Sequence, residues 1–187
     1  MQKENSGSTT GWALTLLNNA GGNRVRFRSH WTTDGTWVST NAVNSTSAFF
    51  HVVVTYSNGA TTNDASIYLN RTLETLATDT NPTGTYALDA GDALRLGLSA
   101  GGAADFNGLM GWVMYHDAIL SAADVNRHYW WGCAPGGPST MKVWHPLWSD
   151  SLANKGTAVA DGAATGTTMA SIPRVERMWG SLMGCGR

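Results

Sequence analysis

The sequence predicts an all-β protein: an antiparallel two-sheet sandwich with one short helix and an extended C-terminal arm. Three observations carry this. Short runs with strand-type alternation are set apart by Gly, Asn and Asp every 8–12 residues or so, the spacing expected of a sandwich. Charged residues make up only 13% of the 187-residue chain, which also holds 22 glycines and 9 tryptophans. An average globular protein carries about 25% charge, so this composition fits turns and aromatic-rich strands. Strands do not alternate with helices, which excludes a doubly wound parallel sheet.

Taken in order, "WALTLLNN" (12–19) reads as a strand, with Ala20-Gly21-Gly22-Asn23 as the hinge to "RVRFRSH" (24–30). The second strand alternates strictly. Val25 and Phe27 face one way; Arg24, Arg26 and Arg28 face the other. The arginines read as a solvated strand face, or alternatively as a phosphate or glycan contact. "TWVST" (36–40) is a third strand. "AFFHVVVTYS" (48–57) is nearly continuous in β-branched and aromatic residues, which predicts a central strand covered on both faces over His51–Tyr56. "ASIYLN" (65–70) is its hairpin partner. The tail from 71 to Tyr86 reads as a loose return arm, "DALRLGLS" (92–99) as a strand, and Met110–Tyr115 as a second central strand. The single helix is expected at 120–130, with Ser121 as N-cap and Asp124 three residues on, a capping box with Asp in place of Glu. Pro135, Gly136, Gly137 and Pro138 then break the chain.

This order of segments resembles a known family. Gly11-Trp12-Ala13-Leu14-Thr15-Leu16 is followed by Arg24–Phe27, the His51–Tyr56 strand and Ile67-Tyr68-Leu69-Asn70. An arm with Pro82 and Gly84, then Leu94–Gly97, Phe106-Asn107-Gly108, Trp112–Tyr115 and Leu120-Ser121 complete it. Residues 11–131 resemble the laminin-G-like jelly rolls of the concanavalin A-like superfamily. The resemblance implies a sandwich over 1–132 and a C-terminal extension over 133–187. In such domains 62–86 is a hairpin strand with an Ile-Tyr-x-Asn-Gly turn, followed by a meandering arm. Here Arg71 stands at the glycine position. A type I′ turn would force it to positive φ, so a different or longer turn is expected. Family members also carry more strands before the Gly-Trp-Ala-Leu position, which predicts an open edge covered by the C-terminal segment or by a neighbouring subunit. Lys142–Leu147 is expected to pair as that strand, with 156–169 wrapping the surface as an extended arm. Segment 141–175 also resembles, more loosely, the tails that follow such modules in phage and environmental viral sequences.

No catalytic constellation emerges. Glu4, Glu74 and Glu176 are far apart and form no Glu-x-Asp-x-x-Glu pattern, so paired carboxylates for glycoside chemistry are not expected. No Gly-x-Ser-x-Gly elbow occurs. Among His30, His51, His116, His128 and His145, the two in apolar strands, His51 and His116, read as structural. Asn63, Asp64 and Asp105 could ligate calcium but read as turn caps, so no metal and no cofactor is expected. Cys133 and Cys185 have no Cys-x-x-Cys spacing, and neither is expected to be catalytic; whether they are bridged stays open. Trp31, Asp34 and Trp37 are candidate glycan contacts, or alternatively the two tryptophans are core or interface anchors. Trp130, Trp131, Trp144 and Trp148 crowd around the proline-glycine break and are candidate assembly contacts.

The net charge of −1, without a basic run, argues against nucleic acid as partner. No apolar leader opens the sequence and no window approaches 18 apolar residues, so neither secretion by a signal peptide nor a membrane partner is expected. The reading is a non-enzymatic structural protein of a virus particle, such as a capsid decoration or cement protein at the virion surface. Its partners would be other virion proteins or copies of itself. The alternative is an extracellular glycan-binding adhesion module that takes cell-surface glycans.

Overall fold

A computed structural model describes residues 1–19, 21–44, 48–101, 106–131 and 140–145. In chain order they form β1 (Gln2–Lys3), β2 (Trp12–Asn19), β3 (Gly22–Ser29), β4 (Trp31–Thr33), β5 (Gly35–Ala42), β6 (Val52–Thr55) and β7 (Ser66–Leu69). There follow β8 (Thr72–Leu73), β9 (Leu76–Thr80), β10 (Thr83–Tyr86), β11 (Leu94–Arg95), β12 (Val113–His116), α1 (Ala122–Trp131) and β13 (Met141–His145). Every strand pairing described is antiparallel. The all-β sandwich with one short helix is therefore the fold; the 156–169 arm lies outside the described residues.

The chain divides into two compact units, Met1–Gly108 and Leu109–Arg187. The boundary expected at 132/133 falls inside the second unit, which holds β12, α1 and β13.

In the first unit a six-stranded sheet runs β11-β1-β2-β3-β5-β9, a three-stranded sheet runs β6-β7-β8, and β10 pairs with β4. The β2–β3 hairpin is in register from Trp12↔Ser29 to Asn19↔Gly22, so the connection is shorter than the four-residue hinge expected. The period-2 pattern of β3 holds. Val25 and Phe27 are buried and join Trp37, Ala65, Ile67 and Leu69 in a core between the two sheets. Phe27 stacks on Trp37 with centroids 5.9 Å apart, and Tyr56 lies 4.9 Å from Trp37. Gly35 is required by this packing: a Cβ there would stand 2.5 Å from the Trp37 ring.

Several expectations are corrected. β6 is not a central strand covered on both faces. It lies at the edge of its sheet and all four of its residues are only half-buried. Its apolar run fills one core face and leaves the other partly open, which composition alone does not distinguish. The 71–86 tail is not a loose arm but contains β8, β9 and β10. β9 closes one end of the large sheet and is exposed at four of its five residues, so it carries no apolar alternation. The strand expected at 92–99 is cut to Leu94–Arg95, and Gly97 beyond it sits at φ 77°. The Asn70-Arg71 turn is the tight two-residue turn after all. Leu69 pairs with Thr72, with Asn70 at φ 47° and Arg71 at φ 71°. Asn70 offsets the strain: its amide donates to the His51 carbonyl at 2.8 Å, and its Oδ1 accepts the His51 amide at 2.9 Å.

The edge beside β2 is covered by β1, which pairs with β2 on one side and β11 on the other. The strand expected from Lys142 does form, as Met141–His145, but its partner is Val113–His116. It does not complete the β2 edge. The second central strand expected at Met110–Tyr115 is, among the described residues, one half of this two-stranded ladder.

α1 begins as its sequence predicts. The Asp124 amide donates to Ser121 Oγ at 3.2 Å, while the Ser121 amide donates back to Asp124 Oδ2 at 3.2 Å. The Ser121 hydroxyl, bonded to Asp124 Oδ2 at 2.6 Å, holds that carboxyl below its ordinary range. No described helix is long and apolar enough to cross a membrane.

Candidate functional site

The face of the six-stranded sheet opposite the core is basic. Directly opposed residues share a face, so the register places Arg95, Gln2, Ala13, Arg28, Thr36 and Thr80 in one row across the sheet. The next row holds Thr15, Arg26, Val38 and Thr78, and a third holds Leu17, Arg24 and Ala42. The arginines are half-buried and stand beside small apolar neighbours, Ala13 and Val38, that are themselves buried. This is how long cationic side chains lay their stems on a sheet and keep their heads outward. Arg26 Nε donates to Thr15 Oγ1 at 3.1 Å. Burial first, and then the neighbouring Arg28, press Arg26 below the usual guanidinium range, with Glu4 opposing.

At one end of this face lies a buried polar line. His30 is 1% exposed; its Nε2 meets Glu4 Oε2 at 2.8 Å and its Nδ1 meets Asp34 Oδ2 at 3.1 Å. Glu4, 3% exposed, also accepts Ser8 Oγ at 3.2 Å and Arg28 Nη2 at 3.4 Å. Arg95 Nη1 donates to the Glu4 carbonyl at 2.8 Å. Asp34 Oδ1 accepts the Trp31 amide at 3.2 Å. The line ties the segment after β1 to the end of β3 and to the β4–β5 turn.

Trp37 is fully buried and Trp31 is 9% exposed, so neither offers a free ring face to a sugar. Trp31 is held by Tyr86, 5.5 Å away edge-on, and its Nε1 donates to Ser29 Oγ at 3.2 Å. Their proposed role as glycan contacts gives way to the alternative, core anchors. Asp34 is brought to the polar line instead. Trp130 is 52% exposed at the end of α1, with its ring 5.2 Å from Tyr129. Trp131 and Trp144 belong to α1 and β13; Trp148, Cys133, Cys185 and Asp105 lie outside the described residues. Asn63 Nδ2 donates to the Ser57 carbonyl at 3.0 Å, a turn contact. Among the described residues, no three acidic, His or Cys side chains gather as a metal site.

Residues 1–126 match the family model described as the Concanavalin A-like lectin/glucanases superfamily. The chain belongs to this superfamily. The match runs from β1 into α1, and with the antiparallel sandwich it makes the first unit laminin-G-like. No curated protein and no solved structure matches the chain. The superfamily's description spans lectins and glucanases, so membership is compatible with carbohydrate binding or a structural role and leaves catalysis to be judged from the site.

In this superfamily member the polar line brings the buried Glu4 and the half-exposed Asp34 together on one imidazole. Sequence reading missed His30 and Glu4. Arg24, Arg26, Arg28 and His30 share one parity, which hinted at His30's side of the strand. Glu4 is 26 residues distant and has no local signal.

Proposed function

We propose that this superfamily member is a non-enzymatic structural and recognition module, acting at the surface of a virus particle. The observation that carries the non-enzymatic reading is the engagement of Glu4 and Asp34 by one imidazole, His30. A glycosidase needs its two carboxyls open to the scissile bond that they flank; here His30 occupies the space between Glu4 and Asp34, and Glu4 is 3% exposed. Glu74 is likewise committed, accepting the Asn41 amide and Nδ2, each at 3.1 Å. The half-exposed Trp130 supports assembly with copies of the chain or with other virion proteins, since exposed aromatics are common interface anchors. The viral setting rests on the resemblance of segment 141–175 to phage and environmental viral tails. Peptide mass spectrometry of purified particles should find the chain, and sedimentation of the full chain should show an oligomer that Trp130→Ala weakens. A monomer absent from particles would overturn this reading. A second reading, recognition of cell-surface glycans, is favoured by the arginine and threonine face rather than by Trp31 and Trp37. A glycan array without any binding would remove it.

A further inference from the structure

We propose that Asn58 modifies itself: the Gly59 backbone nitrogen displaces its side-chain amide, leaving aspartate or isoaspartate at the tip of the β6–β7 connection. The change leaves the sandwich folded. It stands apart from the recognition reading above and does not depend on it.

The reaction closes a five-membered ring between the Asn Cγ and the backbone nitrogen of the next residue. A glycine at that next position lacks the Cβ that hinders the approach, and its backbone turns freely. The chain has two such steps, Asn58-Gly59 and Asn107-Gly108. At Asn70 the next residue is Arg71, and Asn70 Oδ1 accepts the His51 amide at 2.9 Å, so that carboxamide is held.

Access favours Asn58. Asn58 and Gly59 are both exposed, in a turn between Val52–Thr55 and Ser66–Leu69. The attacking amide of Gly59 donates to Ser57 Oγ at 3.4 Å. That is longer than the usual range of about 2.7–3.2 Å, so the contact restrains the nitrogen little. The space around Gly59 is open too, since the nearest atom to a Cβ placed there is Ser57 Oγ at 3.4 Å. At Gly108 the Phe106 ring stands 2.9 Å from the same position and crowds the backbone that must swing. This ranks Asn58 ahead of Asn107.

The fold tolerates the product. β6 and β7 pair from Val52↔Leu69 to Thr55↔Ser66, and Ala65 and Ile67 carry the core on the β7 side. Below the tip, Asn63 closes the loop: its Nδ2 donates to the Ser57 carbonyl at 3.0 Å and its amide to the Ala60 carbonyl at 3.3 Å. A change at position 58 therefore alters the charge of the tip and spares the ladder.

The atoms balance with water alone. The Gly59 amide gives its proton to solvent and its nitrogen bonds to Asn58 Cγ. The Cγ–Nδ2 bond breaks and ammonia leaves with a proton from solvent. Water then opens the imide at either carbonyl, to aspartate or to isoaspartate, and nothing is oxidised or reduced. The net charge of −1 becomes one unit more negative.

The test is incubation of the folded full chain at pH 8.5 and pH 5.5. Peptide mass spectrometry follows each asparagine, and a protein isoaspartate methyltransferase labels the isoaspartate. We expect Asn58 to convert ahead of Asn107, with Asn70 unchanged, and faster at pH 8.5 because the attacking nitrogen must lose its proton. Gly59→Ala fits the open space, so it should keep the thermal midpoint while slowing conversion about tenfold or more. Converted chain, separated by anion exchange, should melt with the fresh chain. Conversion of Asn107 ahead of Asn58 would overturn the assignment, as would an unchanged rate in a folded Gly59→Ala variant. So would an Asn58 still intact in the folded chain; conversion after unfolding in urea would then trace the block to the fold. A lower midpoint in the converted chain would show that the tip supports the sandwich, against the proposal.

Discussion

Arg71 shows how a single residue can sit against its own preference. At φ 71° it occupies a region in which a side chain costs roughly 1–2 kcal/mol. The strand register and the Asn70–His51 bonds hold it there. Arg71→Gly removes the strain but loosens the unfolded chain, so a net stabilisation of about 0.5–1 kcal/mol is expected in urea denaturation. Gly35 is the opposite case, since a methyl there meets the Trp37 ring and Pro82 Cδ. Gly35→Ala should cost about 1–3 kcal/mol by overpacking, read as a lower denaturation midpoint. Glu4 is a buried carboxyl held by His30, Arg28 and Ser8. Glu4→Gln leaves His30 and Arg28 facing a neutral amide, and a loss on the order of 3 kcal/mol is expected. A change under 0.5 kcal/mol would mean that the polar line is not what ties β1 to the sheet. Of these, only Arg71 at a glycine position was visible in the sequence; the surroundings of Gly35 and Glu4 were not. Sequence pattern marks Trp31 and Trp37 as aromatics beside a turn, but which face of β4 and β5 they take depends on pairing with strands far along the chain.

At the scale of elements, those that the sequence shows clearly are those with one dry and one wet face. β2 and β3 alternate because Val25 and Phe27 meet the core while the arginines do not, and α1 announces itself through Ser121 and Asp124. Among the strands that no sequence pattern announces, β9 and β10 are exposed polar segments whose pairing comes from backbone bonds. The N-cap is testable: Ser121→Ala should reduce the stability of the second unit by about 1 kcal/mol. The same unit carries a pH dependence. His116 and His128 lie with ring centroids 5.2 Å apart, and each retains a buried nitrogen without a hydrogen-bond partner. Burial pushes both below the usual imidazole range. His128 adds to the depression of His116, with Asp117 and Asp124 opposing; at His128, Asp124 opposes and Arg127 adds. The unfolded chain therefore binds protons first. The unit is at full stability above about pH 6.5 and loses stability as pH falls through and below it. Thermal melts followed by helical circular dichroism at pH 7.5 and 5.5 should show a lower midpoint at pH 5.5. His116→Phe should flatten the dependence; an equal midpoint at both values would contradict the sign.

At the scale of the whole molecule, the sandwich was readable because many weak strand signals occur in a fixed order, and the family match follows the same order from β1 onward. What could not be read was how the edges close. The sequence pattern offered 142–147 as the cover for β2, because an apolar segment must bury its side chains somewhere. A two-residue β1 carries too little pattern to compete with it. In the structure Gln2 and Lys3 take that edge between β2 and β11, and Met141–His145 takes Val113–His116 instead. This reassigns the consequence of removing the tail. Truncation after Gly137 deletes β13 and leaves β12 without the partner it has among the described residues, while every buried residue of the sandwich core belongs to Met1–Gly108. An unpaired apolar strand invites edge-to-edge association. Hydrogen exchange on the truncated chain should therefore show lost protection over Val113–His116 and retained protection at Val25 and Ile67. The truncated chain should also aggregate as its concentration rises. If Val113–His116 keeps its protection, another segment pairs with it and β13 is dispensable. If Val25 and Ile67 lose theirs as well, the two units fold as one, and the sandwich depends on the tail after all.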